Sequence, residues 1–165
     1  MTEDFDWYDG YLFHVHGTIE RYGFFIQYVL GEHGEPSWGY SIGFLAHGHP
    51  EVVVYGLDDT STAGVLHHLY DEIAVGEHRA LGRSAAADLH GLEVCLLPVP
   101  DAHWTDASSV LCTAVQYSRA VGWDAVAAVQ LVWPAPSGHF PWQPECPPRF
   151  RRLQPILDPP SARAA

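Results

Sequence analysis

The segment Glu51-Val52-Val53-Val54-Tyr55-Gly56-Leu57 constrains the fold more than any other stretch of this chain. Its β-branched residues barely alternate with polar ones, which is the pattern of a largely buried strand rather than one with a solvated face. Such a strand needs a sheet beside it and further layers over it. Four more segments supply strand-forming residues. Phe24–Leu30 and Trp38–Phe44 flank the turn-forming run Gly31-Glu32-His33-Gly34-Glu35-Pro36, which predicts an antiparallel hairpin. Leu92–Pro98 and Ala125–Trp133 read as later strands.

Helical periodicity lies between these runs. Leu12, Val15, Ile19 and Tyr22 recur at helical spacing and Gly23 follows them, so a helix is expected over 11–22. Val65, Leu66, Leu69, Ile73 and Ala74 keep a 3.6-residue period after the capping residues Asp59, Thr60 and Ser61, which predicts a long helix over 60–75. Val110, Leu111, Ala114, Val115 and Tyr117 predict a second long helix over 106–120. The expected fold is therefore α+β: a mainly antiparallel sheet packed by two long helices plus a short N-terminal helix. The 165 residues, 47% of them hydrophobic, suffice for one core. Residues 1–10 read as an acidic N-terminal extension, 11–158 as a single domain and 159–165 as a frayed tail.

Charge and cysteine usage narrow the expected partners. Eight basic against 20 acidic residues leave a formal net charge of −12, which disfavours a nucleic-acid backbone or an anionic membrane. No apolar run is long enough to span a bilayer. Cys95, Cys112 and Cys146 form no Cys-x-x-Cys pair, and the first residues carry no export-signal pattern, so a reducing cytoplasm is the expected compartment. Cys146, among prolines, is expected to be more exposed than the other two.

Histidines and carboxylates supply the candidate chemistry. His14-Val15-His16 with Glu20 matches the core of a cupin metal motif, but residues two apart on a helix point away from each other, so no metal site is expected. His49 and Glu51 lie at a strand mouth, where a histidine and a carboxylate can serve as acid and base; they are the candidate catalytic pair. Gln130-Leu131-Val132-Trp133 runs into a proline-stiffened aromatic loop containing His139, Phe140 and Trp142. Aromatic rings held by prolines wall a ligand pocket at small entropic cost. Tyr40, Ser41, Gln130, Trp133, His139 and Trp142 are the candidate ligand-binding residues.

Several of these pieces recur in a known order. Ile19-Glu20-Arg21-Tyr22-Gly23-Phe24, Trp38-Gly39-Tyr40-Ser41-Ile42-Gly43-Phe44, His49-Pro50-Glu51, Gly56-Leu57, Gln130-Leu131-Val132-Trp133-Pro134, Gly138-His139-Phe140-Pro141-Trp142 and Gln154-Pro155-Ile156-Leu157 together resemble a bacterial family, domain of unknown function 4262. The resemblance spans about residues 12–158. Relatives usually carry an aspartate where this chain has Ala135. The resemblance implies no activity, substrate or cofactor.

Two functional expectations follow. The first is a small-molecule-binding domain whose pocket gathers Tyr40, Ser41, His49, Glu51, Gln130, Trp133, His139 and Trp142 from distant parts of the chain, with Glu51 near Gln130. A planar cofactor such as a flavin could stack on its aromatic rings, although no dinucleotide or phosphate loop is present. The second is an acidic protein-interaction module that uses the aromatic, proline-rich loop as its interface.

Overall fold

The computed structural model describes residues 10–103, 110–123 and 126–158. Along the chain these form α1 (Tyr11–Tyr22), β1 (Phe25–Val29), β2 (Trp38–Ile42), β3 (Glu51–Tyr55), α2 (Asp59–Ala74), β4 (Ala87–Leu89), β5 (Leu92–Pro98), α3 (Cys112–Ala120), β6 (Ala128–Val132) and α4 (Pro148–Leu153). Six strands make one sheet in the order β1-β2-β3-β6-β5-β4. β1, β2 and β3 form an antiparallel meander, and β4, β5 and β6 a second one. The two meet where β3 and β6 run parallel, Glu51 opposite Ala128 and Val53 opposite Gln130. The unbroken apolar run of β3 is explained by this central place: all five of its residues are buried.

Alternation along β3 divides the interior into two layers. Val52 and Val54 join Leu66, Leu69 and Ile73 of α2, Val129 and Leu131 of the neighbouring strand, and Trp133 just past its end. Val53 and Tyr55 face the other way, toward Leu12 and Val15 of α1, Ala114 and Tyr117 of α3, and Leu157. Cys95, Leu97, Val132 and Phe140 form a smaller cluster under β5 and β6. Helix α2 starts one residue earlier than the sequence pattern predicts, because Asp58 is the N-cap and its carboxylate accepts from Ser61 N at 2.6 Å.

Three expectations are adjusted by these elements. The second helix is described as Cys112–Ala120, nine residues, and the start expected at 106 lies outside the described residues. Phe44 leaves β2 and opens a 3-10 helix, Phe44–His47. Cys146 is buried rather than exposed, in a turn that its own N–H closes on Gln143 O at 3.0 Å. His14 and His16 lie on α1, not on a strand; the His16 ring meets the Tyr117 hydroxyl at 2.9 Å.

Gly23 ends α1 at φ 95° and its N–H donates to Ile19 O. A β-carbon there would meet both the left-handed backbone penalty and the Tyr70 hydroxyl. Gly23→Ala is expected to cost about 1–2 kcal/mol, read as a fall in the urea midpoint at unchanged slope.

Candidate functional site

Glu51 is the most deeply buried charged side chain described, 1% exposed, and its setting is made by a parting of two strands. β2 and β3 pair from Trp38 opposite Tyr55 to Tyr40 opposite Val53 and then diverge. Beyond that point the Ser41 side chain replaces a backbone acceptor: Val52 N donates to Ser41 Oγ at 2.9 Å. Gly43, at φ 120°, turns the chain into the 3-10 helix, whose first amides have no partner within that helix. Glu51 supplies one. Its Oε1 accepts from Gly43 N at 2.8 Å and Leu45 N at 3.3 Å, and its Oε2 from Ser41 Oγ at 2.5 Å and Phe44 N at 3.2 Å. Burial pushes the Glu51 carboxyl up to about 7, and the four donors, Ser41 first, hold it from rising further. The carboxyl can therefore hold or release a proton near neutrality while tying the end of β2, the 3-10 helix and the start of β3 together.

Gln130 lies on the adjacent strand, two positions further along and on the same face, so Glu51 and Gln130 are neighbours across β3 and β6. Its amide is fully engaged. Nε2 donates to Pro155 O at 2.8 Å and Oε1 accepts from Leu157 N at 2.9 Å, so Gln130 docks the C-terminal segment onto the sheet. Gln154 does the reciprocal work: its side-chain amide accepts from Trp133 N at 3.0 Å and donates to Trp133 O at 2.7 Å, imitating a neighbouring strand.

Among the other candidates, Tyr40 is buried beside Val53, its hydroxyl accepting from Thr113 N at 3.1 Å and raised to about 12 by burial. His49 packs edge-on to Phe44 and parallel to His78, with Nδ1 2.6 Å from Pro50 O. Burial lowers its pKa. Parallel pairing of β3 and β6 places His49 and Glu51 at the end where both strands begin, whereas Trp133, His139 and Trp142 lie beyond the far end of β6. Ser41, Glu51 and Gln130 are thus brought together, and His139 and Trp142 are not brought to them. Trp133 faces the α2 layer and its indole donates to Tyr55 O at 2.8 Å. His139 meets Ser137 Oγ at 3.1 Å in a solvent-facing turn, and Trp142 stacks on Phe140 beneath Arg83. Among the described residues no group of three or more His, Cys, Asp or Glu is placed to hold a metal ion.

A concave surface occurs elsewhere. Thr18 and Tyr22 of α1, Phe24, Phe25 and Ile26 of β1 and its approach, and His67 of α2 line a groove of about 390 Å³. Phe24 stacks on Tyr70, and His67 meets the edge of Phe24. In the sequence Phe24-Phe25-Ile26 reads only as a run of strand formers. That unbroken apolar run is a signal, but whether it is covered depends on β1 being a sheet edge, which local pattern does not encode.

Comparison with known proteins adds membership without chemistry. No curated protein and no solved structure matches the chain. The family described as a domain of unknown function, DUF4262, matches residues 18–147, a span that holds Ser41, Glu51, Gln130 and the groove, and the chain belongs to that family.

Proposed function

We propose that this domain is a binding module that takes a small planar aromatic compound, carrying one hydrogen-bonding group, in the groove between α1, β1 and α2. The carrying observation is the groove lining: three aromatic rings and an isoleucine around about 390 Å³, with Thr18 and His67 as polar groups. That volume lies within the range of small-molecule sites, and rigid rings stack on a planar ligand at small entropic cost. Among the described residues that line it there is no carboxylate, although the chain has 20, so it suits a neutral or weakly acidic ring. Ser41, Glu51 and Gln130 serve in this reading as the frame, since each polar atom they carry already has a backbone or side-chain partner.

Titrating the 15N-labelled protein with indole and with phenol tests the reading. Amide shifts are expected at Thr18, Tyr22, Phe24–Ile26 and His67, saturating in about the millimolar range expected of fragments this small. His67→Ala is expected to weaken binding several-fold with the spectrum otherwise intact. Shifts confined to other surfaces, or none at ten times that concentration, would overturn it.

A further inference from the structure

The buried Glu51 carboxyl and the aromatic groove share a wall. Phe24, 4% exposed, is the least exposed ring of the groove lining. Its centre lies 5.1 Å from that of the Phe44 ring and 4.7 Å from that of Tyr70. Gly43 packs against the same residue through its backbone: a β-carbon there would stand 3.1 Å from both Gly23 O and Phe24 Cα. Gly43 and Phe44 are also residues whose amides bind the Glu51 carboxylate. One carboxyl group therefore positions the backbone that supports the groove.

The two oxygens of that carboxyl are not equivalent. Oε1 accepts from two amides, Gly43 N and Leu45 N, and an amide N–H cannot reverse its role. Oε2 accepts from Ser41 Oγ and Phe44 N, and a hydroxyl can turn round to become the acceptor. A proton arriving at Glu51 is thus placed on Oε2 and donated to Ser41 Oγ. The Phe44 amide then faces a hydroxyl oxygen in place of a carboxylate. Its bond, at 3.2 Å the longer of the two on Oε2, is the one that weakens.

We infer, resting on the ligand site proposed above, that Glu51 is a proton-operated latch on the groove. Ionised, the carboxylate holds Phe44 against Phe24 and keeps the groove formed; protonated, it releases the Phe44 amide and the groove loosens. The two forms lie close in energy. Burial favours the neutral carboxyl and pushes it up to about 7, while the four donors favour the charged one. Among the described residues, Tyr40 of β2 and Tyr117 of α3 are pushed up to about 12, by burial first, and stay neutral over this range. The charges of Glu20 of α1 and of Glu51 add to the shift at Tyr117, and His16 of α1 meets the Tyr117 hydroxyl. His49 turns its Nδ1 to Pro50 O, and His47 of the 3-10 helix lies 3.4 Å from Gly23 O and from the Tyr70 hydroxyl. β6 presents Gln130, which does not ionise. Loss of one bond to a charged acceptor corresponds to about a three- to tenfold change in affinity. Linkage makes the effect reciprocal, so bound ligand lowers the Glu51 midpoint by about 0.5–1 pH unit.

An NMR titration of the ligand-free full chain from about pH 5 to pH 8.5 is the first test. The Glu51 carboxyl carbon and the Phe24, Phe25 and Ile26 amides are expected to move with one common midpoint. His47 and His67 are titratable neighbours of the groove, so the same step is followed in His47→Gln/His67→Gln, where it is expected to persist. In Glu51→Gln, whose side-chain NH2 stands in for the protonated oxygen, the step is expected to vanish; the parent's carboxyl carbon decides the matter if that variant does not fold. Phenol, neutral over this range, is the second probe, and it is expected to bind the parent about three- to tenfold more weakly at the acid end. Groove amides that stay still while Glu51 titrates, or that follow the histidines alone, would overturn the latch whether or not phenol binds. Phenol affinity that does not change with pH would also overturn it. Phenol that binds nowhere, with the amides still following Glu51, would overturn the ligand site and leave the latch supported.

Discussion

Glu51→Ala is expected to destabilise the domain by about 3–5 kcal/mol. Truncation removes the acceptor for Ser41 Oγ and for the Gly43, Phe44 and Leu45 amides, four donors in or beside a fully buried site. Each buried donor left unpaired costs about 1–3 kcal/mol, and water entering the space offsets part of the sum. In a chain of this size the loss corresponds to about 6–20 °C in melting temperature. Glu51→Gln keeps the shape and one good acceptor, so it should cost less.

The same residue makes stability depend on pH in an unusual direction for a carboxylate. Its folded value of about 7 lies above the roughly 4.3 expected of an unfolded glutamate, so the folded state binds its proton more tightly. The contribution is fully present below about pH 4.3 and is lost as pH rises through 7. Urea unfolding at pH 5, 6, 7 and 8 is expected to show the parent losing stability relative to Glu51→Gln across that window. Parallel curves for the two proteins would mean that the four donors have restored an ordinary carboxylate value.

Gln154→Ala is the second large effect, about 2–4 kcal/mol. Gln154 is 1% exposed and satisfies both backbone groups of Trp133, where the chain leaves β6. Alanine leaves a buried N–H and a buried C=O without their partner and opens a space where the amide stood. The loss should be local before it is global. Amide exchange at Trp133 and Leu157 is expected to accelerate more than at Val53 in the centre of the sheet, since the C-terminal segment would keep only its bonds from Gln130 and Arg83 and the packing of Leu157. Uniform acceleration would show that the segment does not open separately.

The C-terminal segment also shows why local pattern has a limit. Gln130 and Glu51 stand out in the sequence as polar residues in apolar strands, and the structure places them on neighbouring strands. A shared ligand pocket is expected from the sequence because buried polar groups require partners. Those partners are the Ser41 hydroxyl and backbone groups of Gly43, Phe44, Leu45, Pro155 and Leu157, the last two more than 20 residues from Gln130 in the chain. Need for a partner is visible in sequence; the identity of the partner is a tertiary fact.

What the sequence determined by itself is the set of elements: α1 by its apolar spacing and Gly23, the hairpin by its turn residues, β3 by an apolar run without alternation, and α2 by its period. Each rests on interactions within a few residues, where side-chain spacing and backbone preference act directly. Only the tertiary structure decided that β3 and β6 lie side by side in parallel, because strand order comes from burial summed over the whole sheet. That one pairing joins Glu51 to Gln130, sends His139 and Trp142 to the opposite end, and leaves β1 at the edge where the aromatic groove opens.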